Sequence, residues 1–427
     1  MNHNRIADLP AQRRAGSRAG ITSVCTAHPT VIEAALRFGQ AQGAPVLIEA
    51  TCNQVNQHGG YTGMTPDAFR RFVETIAARV GFSGELILGG DHLGPNPWKH
   101  RPADEAMREA SVMVQDFARA GFTKLHLDTS MGCAGETVAL SDETTAARAA
   151  SVAAIAEEAA PARETLSYVI GTEVPVPGGA LEALDHLAIT SPDAARHTVA
   201  VHERAFAKLD LQEAFGRTVG IVVQPGVEFG NADVVPYDRA KAKALSDTLD
   251  GLPHVVFEAH STDYQSEAAL AALVDDGFAI LKVGPGLTFA LREALYGLDA
   301  IATVLGLQQA DDSLSAAMER VMLREPGSWQ PYYHGDAAEL RLQRHFSYSD
   351  RIRYYWPHAE AQAALSRLLG LFGDRAIPAT LISQYFGLLD PELLARSGGA
   401  TATVLQEAAV TRVLAIYARA CGVTVTT

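Results

Sequence analysis

The chain has 427 residues, with Lys+Arg 35 against Asp+Glu 49 for a formal net charge of −14, and it is 48% hydrophobic and 20% charged. This composition suits a folded protein with a sizeable core, while its acidity excludes one built chiefly to hold a polyanion such as a nucleic acid, which needs clustered Lys and Arg. Four scattered cysteines, Cys25, Cys52, Cys133 and Cys421, form no CxxC pair, which argues against a disulfide framework or structural zinc and fits a reducing cytoplasm.

The opening stretch MNHNRIADLPAQRRAGSRAG lacks the apolar core of a signal peptide, and residues 1–19 read as a basic, partly mobile lead-in. No apolar run approaches the roughly 20 residues of a membrane span. From residue 20 onward, short β-branched runs alternate with Ala-rich helical stretches such as PDAFRRFVETIAARV, the pattern of βα units on a parallel sheet. The strand runs are ITSVCTA, PVLIEAT, ELILGGD, KLHLDTS, SYVIGTE, VGIVVQP, HVVFEAH and FAILKVG. Eight such units predict an α/β fold, a (β/α)8 TIM barrel over 20–305, with reactive residues at the C-terminal ends of the strands. A doubly wound open sheet is the alternative, but the glycine fingerprint of a dinucleotide site is missing. Beyond residue 305 the β signal fades into aromatic-rich segments including RHFSYSDRIRYYW, which predict a helical C-terminal extension over 306–427 packed on the barrel. The helical spacing of Tyr348 to Trp356 in an acidic chain reads as packing or a lid rather than a nucleic-acid stacking strip.

The strand ends are rich in polar residues. PVLIEAT runs into Asn53, Gln54, Asn56, Gln57, His58 and Tyr61; the third strand ends in Asp91-His92, the fourth in Asp128, the fifth in Glu173, the sixth in Gln224, the seventh in His260-Ser261 and the eighth in Lys282 before Gly284-Pro285-Gly286. His92, Glu173 and His260 come from three strand ends on one rim, as the ligands of a catalytic divalent metal do, and suit Zn, Mn or a similar ion such as Ni. Asp91, beside His92, is placed as the acid/base partner, and Asp128 is a further catalytic candidate. Lys282, Ser261, Gly284 and Gly286 lie where barrels commonly hold a phosphate. Asn53, Gln57, His58 and Tyr61 supply the neutral donors and acceptors that a sugar requires. No GxxxxGK[ST] is present, so nothing supports P-loop phosphoryl transfer.

The segments IEATCNQVNQHGGYTGMTP, GGDHLGPNPW, LHLDTSM, GTEVPVPGG, QPGVEFGN, FEAHSTDYQ and LKVGPGLTFALREAL resemble the D-tagatose-bisphosphate aldolase Z-subunit family. That family is similar to the class II, metal-dependent aldolases, and the resemblance implies their barrel. It places the catalytic Asp and a metal His on Asp91-His92, an acidic metal-site residue on Glu173, and a second metal His on His260. Where those aldolases carry FGN-x-H, this chain reads Phe229-Gly230-Asn231-Ala232-Asp233, which leaves Gln224, Glu228 or Asp233 as the fourth ligand and puts full aldolase activity in doubt. The resemblance implies one of two roles. The first is a metal-dependent C4 epimerase interconverting D-tagatose 6-phosphate and D-fructose 6-phosphate by aldolase-like chemistry. The second is a non-catalytic stabilising subunit of a D-tagatose-1,6-bisphosphate aldolase, with that catalytic subunit as partner. A homo-oligomer is compatible with either.

Overall fold

The computed structural model describes residues 5–171, 187–390, 394 and 400–425. Eight parallel strands close into a barrel: β1 (Ile21–Cys25), β2 (Val46–Thr51), β3 (Leu86–Leu93), β4 (Lys124–Leu127), β5 (Ser167–Ile170), β6 (Thr218–Val222), β7 (Val256–Ala259) and β8 (Ile280–Val283). Each pairs with its sequence neighbours, and β8 closes on β1 with Ile21 opposite Ile280 and Ser23 opposite Lys282. Every predicted strand run forms one of these strands. The helices between them start where a side chain can serve an orphan backbone N–H: His28, Thr65, Ser141, Ser191, Asp238 and Ser266 each accept from the first turn of the helix that follows. A two-stranded ribbon, Glu228–Phe229 against Val234–Val235, follows β6.

The opening segment departs from the sequence reading of a mobile lead-in. Residues Arg5–Arg14 form a helix, and Ile6 and Leu9, one turn apart on one face, are fully buried. They pack on Ile21, Leu47, Ile87, Val169, Val219, Val256 and Ile280, which lie toward the starts of the strands, so this helix stoppers the N-terminal end of the barrel. The basic residues face outward, where Arg13 pairs with Asp250; charge alone concealed the apolar stripe.

Beyond the barrel come helices Leu314–Arg324, Ala337–Phe346, Ala359–Phe372, Ala379–Tyr385 and Ala402–Ala420. The last packs against Pro285–Val304, Pro29–Gln42 and Glu267–Asp275. Its Tyr417 hydroxyl donates to the Thr262 carbonyl at 2.8 Å, tying the end of the chain to the rim loop after β7. No helix among the described residues is long and apolar enough to cross a membrane.

Candidate active site

Alternate residues of a strand face the same side, and in this barrel that alternation carries charge inward. Lys124, His126 and Asp128 follow one another up β4, Glu258 and His260 up β7, and Leu47 and Glu49 up β2. The barrel interior therefore holds an ionic tier below the strand-end residues that the sequence singles out. Lys124 Nζ lies 2.6 Å from Glu49 and 2.7 Å from Glu258, all three with no exposure. These are close charge pairs rather than well-angled hydrogen bonds. Gly89 makes the room: a Cβ there would stand 2.7 Å from Glu49 Cγ.

Lys282 belongs to the same tier. Its ammonium is 2.6 Å from Glu49, 2.5 Å from Asp91 and 3.6 Å from Glu258. Burial works against its charge, but the carboxylates outweigh burial and hold its pKa well above the ordinary value. An ammonium so held is a poor nucleophile, which disfavours Schiff-base chemistry. It is also not the rim cation expected to take a phosphate, because its carboxylate partners already surround it. Cys25, Glu49 and Asp91 come within ligating distance of one another, and the Lys282 ammonium already pairs with both of those acids.

Above this tier the imidazoles of His92, His126 and His260 sit with ring centroids 4.9 to 5.3 Å apart. With Asp91 they form a set whose ligand atoms all lie within 4.8 Å of one another. Hydrogen bonds orient each ring. His126 Nε2 is 3.0 Å from the Gly171 carbonyl, which can only accept, so that nitrogen carries the proton and Nδ1 faces Asp91 Oδ1 at 2.9 Å. His92 Nδ1 is 2.9 Å from Asp128, leaving Nε2 on the side of Asp91 at 3.6 Å. His260 Nε2 is 2.9 Å from Glu258. Carboxylates behind imidazoles are the usual outer partners of metal-binding histidines.

The electrostatics point the same way. Burial alone would raise the pKa of Asp91, but His92 and Lys282 overcome it and keep the carboxyl well below its ordinary range. Asp128 is likewise buried yet lowered to about 2, chiefly through His92, and burial lowers His260 to about 3. Four buried carboxylates, Glu49, Asp91, Asp128 and Glu258, thus face two ammonium groups, Lys124 and Lys282. Asp91 and Asp128 raise the pKa of His92 against burial, so among the described residues this tier keeps two negative charges with every imidazole neutral and one with His92 protonated. A buried imbalance of that size beside three imidazoles fits a divalent cation.

Backbone strain gathers at this rim. Of the five described non-glycine residues with positive φ, four line or flank it: His92 at 50°, Ser261 at 51°, Tyr264 at 65° and Asp350 at 47°. Such angles cost energy and cluster where side-chain aim matters. In β3 the register shifts between Gly90 and Leu93, and this bulge lets Asp91 and His92 both reach the site. The next residue but one, Gly94, passes so close to β4 that a Cβ would fall 1.6 Å from the Asp128 carbonyl oxygen.

A cavity of about 160 Å³ opens over these groups, lined among others by Asn53, Tyr61, Asp91, His92, Asp128, His260, Ser261, Lys282, Gly284 and Arg353. Most of the predicted set converges there. Glu173 lies outside the described residues. The Oε1 of Gln224 is engaged elsewhere, accepting from the N–H groups of Gly226 and Val227 at 2.8 and 3.0 Å. Glu228 accepts from the N–H of Phe229 and is pushed up by burial to about 7, and Asp233 is exposed; neither belongs to the ligand cluster, whose further histidine is His126. His58 turns away to Glu109 at 2.8 Å, as does Gln57. The N–H groups of Gly284 and Gly286, the expected phosphate donors, instead serve Asp263 Oδ1 at 3.0 and 2.7 Å.

His126, Lys124, Glu49 and Glu258 lie inside strands rather than at their polar ends, so no strand-end pattern marks them. The available signal was the alternation inside them: Lys124, His126 and Asp128 in KLHLD, and Glu258 and His260 in FEAH, each two apart.

Comparison with known proteins places the whole chain in a family. Residues 6–422 match the family described as "D-tagatose-1,6-bisphosphate aldolase subunit GatZ/KbaZ-like". A protein of Agrobacterium fabrum (strain C58 / ATCC 33970) named "D-tagatose 6-phosphate 4-epimerase" is 55% identical over 420 residues, covering 98% of each chain. A crystal structure from Sinorhizobium meliloti 1021, titled as a probable tagatose 6 phosphate kinase, is 58% identical, superposes with a TM-score of 0.87, and covers 94% of this chain and 100% of its own. The chain belongs to the GatZ/KbaZ-like family of D-tagatose-1,6-bisphosphate aldolase subunits.

Proposed function

We propose that this chain is a ketose-phosphate 4-epimerase that interconverts D-tagatose 6-phosphate and D-fructose 6-phosphate. The carrying observation is the buried Asp91, His92, His126 and His260 set at the barrel rim, in a chain whose relative of near-equal length bears the epimerase name. A stabilising subunit without chemistry has no use for three imidazoles and a carboxylate within ligating distance of one another.

His92, His126 and His260 would hold a divalent cation, with Asp91 beside it. When bound, that ion supplies positive charge opposite the oxyanion that develops on the ketose. The chain's own groups do the rest. Asp91, an anion within reach of Lys282, accepts the proton of the C4 hydroxyl as the C3–C4 bond breaks, and returns it after re-addition. Asp128 and Glu258 fix the tilt of His92 and His260. Asn53, Tyr61 and Ser261 face the sugar hydroxyls from the cavity wall. Re-addition to the opposite face of the retained aldehyde inverts C4, so a site that keeps both fragments is an epimerase, and one that releases them is an aldolase. Phosphoryl transfer is disfavoured because the chain has no nucleotide motif.

The test is to follow D-fructose 6-phosphate and triose phosphate from D-tagatose 6-phosphate with the purified chain alone. Chelator-treated samples and samples resupplied with Zn, Mn or Ni are compared. Fructose 6-phosphate without ATP, lost on chelation and restored by metal, is the expected outcome. No product under any metal would overturn the proposal in favour of the supporting-subunit reading, in which the partner is a catalytic aldolase subunit.

A further inference from the structure

An epimerase acting on a 6-phosphate must hold that phosphate, and of the groups the sequence suggested for it the cation and the backbone N–H groups are already engaged, which leaves the Ser261 hydroxyl without a charged companion. Lys282 is enclosed by Glu49, Asp91 and Glu258, and the helix N-terminal N–H groups of Gly284 and Gly286 are filled by Asp263. Among the described residues that line the cavity, Lys and Arg are represented by Lys282 and one other, Arg353.

Arg353 comes from the C-terminal extension, in the turn Arg351–Tyr355. Its Nη1 donates to the carbonyls of Ser349 and Asp350 and its Nη2 to the Tyr354 hydroxyl at 2.9 Å. The Tyr354 ring lies 4.4 Å from its guanidinium carbon, and Tyr354 is itself braced edge-on by Tyr61, with ring centroids 4.9 Å apart. These contacts leave the Nε–H and one Nη2–H, the side-on edge with which arginine grips a phosphate in bidentate fashion. No carboxylate stands within ion-pair distance of Arg353 among the described residues, and its side chain lines the cavity.

Resting on the sugar-phosphate reading above, we propose that Arg353 is the phosphate anchor of the cavity, delivered to the barrel rim by the C-terminal extension. The extension then completes the substrate site, and the bare barrel would lack its means of choosing a phosphorylated ketose.

The test compares Arg353→Met and Arg353→Lys with the parent enzyme, using D-tagatose 6-phosphate, D-tagatose and inorganic phosphate as probes. For Arg353→Met the KM for D-tagatose 6-phosphate should rise about 30-fold, in line with loss of a charge-assisted bond, with a smaller change in kcat. The preference for phosphorylated over free ketose and the inhibition by inorganic phosphate should fall by similar factors, and Arg353→Lys should recover part of each. An Arg353→Met enzyme whose KM and phosphate inhibition stay within threefold of the parent would overturn the proposal. So would equal losses on both ketoses with a lowered melting temperature, the mark of a merely structural role. Calorimetric binding of D-tagatose 6-phosphate separates the two readings. A parent protein that binds it without turnover sinks the epimerase reading, while the same binding measured on Arg353→Met still decides the anchor.

Discussion

Asp91 carries the heaviest demand of any side chain in the site. It pairs with Lys282 at 2.5 Å, meets His126 at 2.9 Å and lies 3.6 Å from His92, so its charge organises the rim before any substrate arrives. Replacing it by Asn keeps the shape and removes the proton acceptor; kcat for 4-epimerisation should fall by about 10²- to 10⁴-fold, measured at saturating D-tagatose 6-phosphate. Asp350 offers a stability test away from the ligand cluster. Burial raises it from the ordinary 3.8 to about 7, and its Oδ1 has no hydrogen-bond partner. The folded protein therefore binds a proton there that the unfolded chain releases above pH 4. Stability contributed by that proton is present at low pH and lost as pH rises toward 7, at about 1.4 kcal/mol per unit of displacement. Asp350→Asn stays neutral and tolerates the residue's left-handed φ of 47°. Its melting temperature should fall less than the parent's between pH 5 and pH 8, and parallel curves would contradict the assignment.

Strands were the legible elements, because each βα repeat writes a β-branched run that ends in polar residues, and all eight runs became barrel strands. His92 and His260 were legible for the same reason. What lay inside the strands was harder to see. A lysine in KLHL looks like a strand-end charge until its partners, Glu49 from β2 and Glu258 from β7, are known to meet it in space. The phosphate reading of Gly284 and Gly286 failed through a neighbour no local pattern reveals, the Asp263 carboxylate arriving from the loop after β7. Two stability predictions belong here. Lys124→Met leaves Glu49 and Glu258 to share the one remaining ammonium, Lys282, and should cost about 3–5 kcal/mol, read by urea unfolding; adding Glu49→Gln should return part of that loss. Leu9→Ala in the N-terminal helix opens a cavity at the barrel floor and should cost about 2–5 kcal/mol, whereas a mobile lead-in would leave stability unchanged.

On the scale of the whole molecule, the barrel supplies the His/Asp floor and the extension supplies part of the wall. Tyr348, Arg353 and Tyr354 reach the rim from the extension: Tyr264 donates to the Tyr348 carbonyl at 2.6 Å, and Tyr417 binds Thr262 from the last helix. Chain order hides this convergence, since an aromatic stripe reads equally well as plain packing. On the mechanism we propose, the site breaks a carbon–carbon bond, keeps both pieces and rejoins them with C4 inverted. The most direct test is to run the purified, metal-supplied chain on D-tagatose 6-phosphate in ²H₂O and read the D-fructose 6-phosphate by NMR. Cleavage and re-addition predict a product whose C4 keeps the substrate's protium. Deuterium at C4, or no fructose 6-phosphate at all, would contradict it.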